Sequence, residues 1–356
     1  MQSILKKLPV HSGNTAISMA VLFVLLLSSC KKDDTDDAQQ YKVFLPSNFP
    51  APTYDLTQNP VTKAGFELGR KLFYDPILSR DSTIACGDCH ISFSAFIHPD
   101  HTTSHGIDGL FGRRNALPVQ NLIWQSSYFW DGGVGQMDLI PLNAITNAVE
   151  MDEDPVRVVA KLNRHPQYPA LFKAAFAGQD TVSGTKMLQA LSQFMAMLVS
   201  ANSRYDHYVR HEPDGILSAL EINGLDVFQQ KCASCHATDL FTDMRYRNNG
   251  ILSDFTLDQG RHEVSTLPED IGKFRVPSLR NVAITGPYMH NGKIKTLESV
   301  LEHYASGVKD SPTLDPLLKQ NGQLGIPLTT EEKQALLAFL QTLTDQVFIQ
   351  AERFRQ

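Results

Sequence analysis

Cys86-Gly87-Asp88-Cys89-His90 and Cys232-Ala233-Ser234-Cys235-His236 are two copies of one pattern, C-x-x-C-H, in a chain of 356 residues. Two thiols one helical turn apart reach the two vinyl groups of a haem, and the histidine that follows places a ring nitrogen on the iron. A thioredoxin-like redox pair or half of a zinc site shares the C-x-x-C spacing. Neither accounts for a histidine directly after each pair, and no third and fourth cysteine stands near either one. Cys86, Cys89, His90, Cys232, Cys235 and His236 therefore mark two covalently bound c-type haems.

The flanks of the two motifs also repeat. Gly69-Arg70-Lys71-Leu72-Phe73 precedes the first motif and Gly224-Leu225-Asp226-Val227-Phe228 precedes the second. Both read as the Gly-x-x-aliphatic-Phe helix that packs before the haem in a small c-type cytochrome. Phe228 stands four residues before Cys232 and Phe73 thirteen before Cys86, so the first copy carries a nine-residue loop insertion. A repeat of this kind means tandem units. An apolar helical segment, Met187 to Val199, precedes the polar stretch Ser203 to Asp214 with its Pro213, and the boundary is placed there. Thr329 to Glu332 is a capping box, followed by Leu336, Leu337, Leu340 and Leu343 at helical spacing. The expectation is a mainly α fold of two tandem class I cytochrome c-like haem domains, 46–212 and 213–345, with a tail, 346–356, that packs back on the first.

Before the first domain, Lys6 and Lys7 precede an apolar run from Ala16 to Leu27, too short for a comfortable membrane span. Leu27-Ser28-Ser29-Cys30 resembles a bacterial lipobox, with residues 1–29 as signal peptide and Cys30 lipidated. A chance cysteine at the end of an ordinary secretory signal is the alternative. Residues 30–45, opening on Lys31-Lys32-Asp33-Asp34-Thr35-Asp36-Asp37, read as a solvated tether. The expected location is extracytoplasmic, in the periplasm, held to a membrane by a lipid anchor only. Composition is ordinary for a globular protein, with 42% hydrophobic and 20% charged residues and a net charge of −6. Five cysteines are too few for a disulfide-rich mini-protein, and mild acidity without a basic run argues against nucleic acid as ligand.

Further motifs carry a family resemblance. Gly112-Arg113-Arg114-Asn115, Phe129-Trp130-Asp131-Gly132 and Val149-Glu150-Met151, with Phe274 to Val282 and Gly286 to Gly292, resemble the bacterial di-haem cytochrome c peroxidases from Tyr41 to Asp345. The resemblance implies that the N-terminal haem, on His90, is peroxidatic and binds hydrogen peroxide on its opposite face. It implies that Glu150 is the acid/base carboxylate, a task that burial suits by raising its pKa. By composition alone, Glu150 beside Asp152, Glu153 and Asp154 reads as part of a solvated acidic run. Trp130 matches the tryptophan between the haems; a buried tryptophan is also ordinary core. Of His98, His101 and His105, the last best matches a loop histidine that caps the resting peroxidatic iron, while loop histidines are commonly surface residues. The resemblance further implies one calcium ion, with Asn115 as side-chain ligand and backbone oxygens from Thr285 and Pro287. Family members are often homodimers.

Two positions depart from the peroxidase type. The glutamine usual ten residues before the catalytic glutamate is Ile140, and the methionine usual fourteen residues after His290 is Tyr304. A phenolate is a harder donor than a thioether and favours ferric iron. Tyrosine here is similar to the di-haem enzymes that mature tryptophan-derived quinone cofactors. Met289 and Met244 compete with Tyr304 as ligand to the second iron. Three readings follow: a peroxidase fed by a small electron-donor protein such as a c-type cytochrome or cupredoxin, with electrons passing from the C-terminal to the N-terminal haem; a tyrosine-ligated oxidase or maturase acting on a protein partner; and a non-enzymatic electron-transfer or sensor cytochrome.

Overall fold

The computed structural model describes residues 41–178 and 181–356. The signal segment, Cys30 and most of the tether lie outside the described residues. Helices α1 (Lys63–Tyr74), α2 (Cys86–Cys89), α3 (Ile140–Thr146), α4 (Pro155–Arg164), α5 (Tyr168–Ala175), α6 (Gly184–Ala196) and α7 (Arg204–Val209) are followed by α8 (Ala219–Lys231), α9 (His262–Ser265), α10 (Leu297–Glu302), α11 (Thr330–Gln341) and α12 (Gln346–Gln350). Tyr246–Arg247 pairs antiparallel with Phe274–Arg275, and Lys319–Gln320 with Gln323–Leu324. The fold is mainly α, as the short helical patterns predict. Among the described residues no helix is long and apolar enough to cross a membrane.

The repeat read from the flanks is a repeat of helix crossings. Helix α1 packs on α6 and α8 packs on α11. At each crossing a glycine lets the backbones meet: a Cβ on Gly69 would lie 1.9 Å from the Ala190 carbonyl oxygen, and one on Gly224 would lie 2.0 Å from that of Ala335. Three phenylalanines close each core in the same order. Phe73, Phe96 and Phe194 meet in the first unit, and Phe228, Phe241 and Phe339 in the second. Thr329 caps α11 with Glu332 in the expected reciprocal box.

A second layer of the repeat joins the loops. Asn121 and Asn281 both adopt the left-handed conformation, and each takes up the end of its unit's last long helix: the Asn121 amide donates to Leu198 O at 2.9 Å and that of Asn281 to Leu343 O at 3.0 Å. Tyr128 and Tyr288 open matching turns; their hydroxyls donate to Leu122 O and Val282 O, and their amides to Val134 O and Ile294 O. Gly132 and Gly292 follow at φ of 69° and 61°. This register makes Trp130 and His290 counterparts.

The first core draws on the end of the chain, since Phe348 and Phe354 pack into it. Tyr205 of α7 packs into the second core. Between the two, Arg280 and Asp206, both fully buried, form a bidentate pair at 2.8 Å. Gln120 donates to the Arg280 carbonyl at 2.9 Å and accepts from Asn281 at 2.6 Å. Removing one partner of a buried ion pair leaves an uncompensated charge and costs about 3–5 kcal/mol.

Candidate functional site

Each unit surrounds one cavity. The first, about 520 Å³, is bordered by Cys86, Cys89 and His90; the second, about 660 Å³, by Cys232, Cys235 and His236. The four thiols are free of disulfides. His90 Nδ1 lies 2.8 Å from Phe96 O and His236 Nδ1 lies 3.1 Å from Phe241 O. A carbonyl partner fixes the proton on Nδ1 and leaves the Nε2 lone pair for a metal. Burial pulls both imidazoles below their ordinary value, so they are neutral, as ligation requires. Cavities of cofactor size, each with a thiol pair on one helical turn and an imidazole in the ligating tautomer, fit covalent haem.

Glu150 stands on the wall of the first cavity, half-buried. Burial pushes its carboxyl up to about 7, opposed by a hydrogen bond that Asn147 Nδ2 donates to Oε1 at 2.7 Å. Asn147 closes α3, whose first residue is Ile140, also on the cavity wall. The hydrogen-bond donor to Glu150 is thus an asparagine one helix length after position 140. The neighbouring acids are committed elsewhere. Asp152 pairs with Arg80, Asp154 caps α4, and buried Glu153 is held down at about 2, against its own burial, by Lys161 and Arg157. Glu150 alone of this run borders the cavity.

His105 reaches the same cavity wall, while His98 and His101 stack on each other behind it at 3.9 Å. The loop carrying His105 is tied to Glu150: the Ile107 amide donates to Glu150 O at 2.8 Å, and a Cβ on Gly106 would lie 2.2 Å from that oxygen. Only glycine permits this approach.

In the second cavity, Tyr304 lies on a π-turn, His303–Gly307, that ends α10. Such wide turns often re-aim a side chain at a functional position. Burial pushes its phenol up to about 12, so it stays neutral unless a cation takes the place of the proton. Met289 also borders this cavity, with its sulfur 3.1 Å from Asn249 Nδ2; Met244 borders neither cavity and lies by Arg275 and the first core.

Trp130, Arg275, Asn115 and the run Ala116 to Pro118 border both cavities. Trp130 is buried, donates from Nε1 to Asn115 O at 2.8 Å, and meets His290 edge-on at 6.4 Å. Asn115, Thr285 and Pro287 all border the second cavity. Asn115 donates its amide nitrogen to His101 O and Thr102 O, both at 3.2 Å, and no carboxylate stands among the three. The residues missed by the sequence are Asn147 and Arg275. Asn147 could have been found as an amide three residues before Glu150; Arg275 was visible only as a motif letter.

Two haem cavities in tandem units, sharing a wall built around one tryptophan, define a di-haem c-type cytochrome. Residues 63–214 match the family model described as di-haem cytochrome c peroxidase. The methylamine utilization protein MauG of Methylorubrum extorquens is 31% identical over 293 residues, covering 80% of this chain and 79% of its own. Cytochrome c551 peroxidase of Pseudomonas aeruginosa is 30% identical over 305 residues, covering 83% of each chain. The crystal structure of a MauG-like protein associated with microbial copper homeostasis superposes with a TM-score of 0.77 at 32% identity, over 87% of this chain and 97% of that one. The chain belongs to the di-haem cytochrome c peroxidase family and is an oxidoreductase.

Proposed function

We propose that the protein reduces hydrogen peroxide to water with electrons from an external one-electron donor, a small c-type cytochrome or cupredoxin, entering at the C-terminal unit and used at the N-terminal one. The observation that carries this reading is Glu150, a carboxyl bordering the first cavity whose pKa burial raises to about 7. When bound, haem supplies an iron that exchanges single electrons. Glu150 takes a proton from one peroxide oxygen and delivers it to the other as the O–O bond breaks; two electrons and two protons then balance one peroxide to two waters. Asn147 occupies Oε1 and so orients the carboxyl, leaving Oε2 for the proton. Trp130, bordering both cavities, offers the π system through which electrons cross. His105, which borders the same cavity, is the residue that would cap the first site at rest.

Tyr304, bordering the second cavity, favours a second reading: the tyrosine-ligated oxidase or maturase acting on a protein partner. Peroxide-dependent oxidation of a reduced small cytochrome by the haem-loaded protein supports the first reading. Rapid reaction with peroxide and no donor oxidation supports the second, and no reaction in any redox state leaves only electron transfer or sensing. Export by the signal segment, lipidation of Cys30, a homodimer, and a calcium ion at Asn115, Thr285 and Pro287 belong to the same proposal. The calcium is tested by chelation, which should alter the haem spectrum and be reversed by added calcium alone.

A further inference from the structure

Arg275 is buried, at 4% exposure, and borders both haem cavities. Its backbone amide donates to Trp130 O at 2.7 Å, its Nε donates to Phe129 O at 3.1 Å, and Nη1 lies 3.9 Å from the Met244 sulfur. Among the described residues no carboxylate pairs with it. The other deeply placed arginines are matched: Arg114 by Asp131 and Asp258, Arg247 by Asp243 and Asp315, Arg280 by Asp206. Burial pulls the Arg275 guanidinium down to about 10, the opposite direction from Arg114 and Arg247. An isolated buried charge costs several kcal/mol, and a guanidinium is the side chain best shaped for a carboxylate. Among the described residues the polypeptide supplies no anion to it, and both cavities that Arg275 borders are of haem size.

We propose that Arg275 is the counter-cation for haem propionate carboxylates at the wall shared by the two cavities, and that it thereby sets the reduction potential of the haem it pairs with. The charge logic is direct. A fixed cation offsets the propionate and favours the reduced iron; without it the uncompensated carboxylate favours ferric iron. The inference rests on haem occupying both cavities and is independent of Glu150.

The test is spectropotentiometry of the haem-loaded Arg275→Gln and Arg275→Lys proteins, with haem content measured as the pyridine haemochrome. Arg275→Gln should retain two haems and lower at least one midpoint by tenfold or more in the oxidised-to-reduced ratio, which is 59 mV for a one-electron couple. Arg275→Lys should recover most of that shift while altering the propionate bands in the resonance Raman spectrum. Full haem content with both midpoints unchanged in Arg275→Gln overturns the proposal, and unchanged propionate bands in Arg275→Lys overturn it if the glutamine variant does not accumulate. The unsubstituted protein gives an independent reading: with isotope-labelled arginine, its oxidised-minus-reduced infrared spectrum should contain an arginine-sensitive band, and a spectrum without one overturns the assignment. Loss of haem from the unsubstituted protein would instead remove the haem assignment itself.

Discussion

Replacing Glu150 by glutamine keeps the side chain's size and removes its ionisable carboxyl. Two consequences follow, and they can be read separately. The first is kinetic. A positioned acid/base group contributes about 10²–10⁴ in rate, so kcat/KM for peroxide should fall by at least about 10², or about 2.7 kcal/mol of barrier, with haem content unchanged. In the parent protein the same rate should rise with pH through about 7, because the ionised carboxylate accepts the first proton and burial has moved its pKa there. That limb should vanish in Glu150→Gln. The second consequence is thermodynamic. The folded state holds the Glu150 proton between pH 4.5 and about 7, where the unfolded chain has released it. Stability therefore falls as pH rises across this window and stays lowered above it. At 1.36 kcal/mol per pH unit the window corresponds to about 3 kcal/mol, reduced because the side chain is only half-buried. Glu150→Gln should thus gain stability relative to the parent at pH 8 and none at pH 4, measured by denaturant titration of the haem-loaded proteins. Unchanged peroxide turnover with both haems in place would remove Glu150 from the mechanism, whatever the stability data showed.

Asn147→Ala removes the hydrogen bond that holds the Glu150 pKa down, so the alkaline rise in peroxide kcat/KM should move to higher pH; a profile that stays in place would separate the two residues. Tyr304→Phe should change the optical spectrum of one haem and leave the other as it was, and no change in either would remove Tyr304 as a ligand. Gly224→Ala puts a methyl against the Ala335 carbonyl and should cost about 1–3 kcal/mol in denaturant unfolding; an unchanged midpoint would mean that α8 and α11 can separate without penalty.

Much of the architecture is written in local pattern. The C-x-x-C-H motifs demand a haem wherever they fold, and a glycine four residues before a phenylalanine marks a helix crossing because only glycine lets two backbones approach so closely. The second layer of the repeat was not legible. Tyr128 to Gly132 and Tyr288 to Gly292 share only their tyrosines and glycines, and the residues between them differ because they meet at the interface as opposites, Trp130 against His290. For Glu150, sequence offered a motif match against an acidic run. The choice depends on where Lys161, Arg157 and Arg80 fall, which is set by the packing of α4 and by the loop after α1. Met244 looked equivalent to Met289 as a ligand because loop length alone does not say which side of a wall a residue takes; Met244 stands two residues before the strand paired with Phe274–Arg275, beside Arg275 and the first core. Arg275 was legible only as one letter of a motif, since an unpaired arginine is recognisable only once the carboxylates around it have been located.

In the proposed function the two sites are chemically unequal: Glu150 guards a first iron that opens to small ligands in at least one redox state, and Tyr304 closes the second. Electron paramagnetic resonance of the oxidised and half-reduced protein, with and without cyanide, reads this directly. One iron should bind cyanide in at least one of the two states, and the haem whose signal changes in Tyr304→Phe should be the other one. Cyanide bound by neither iron in either state, or only by the haem that responds to Tyr304→Phe, would contradict it.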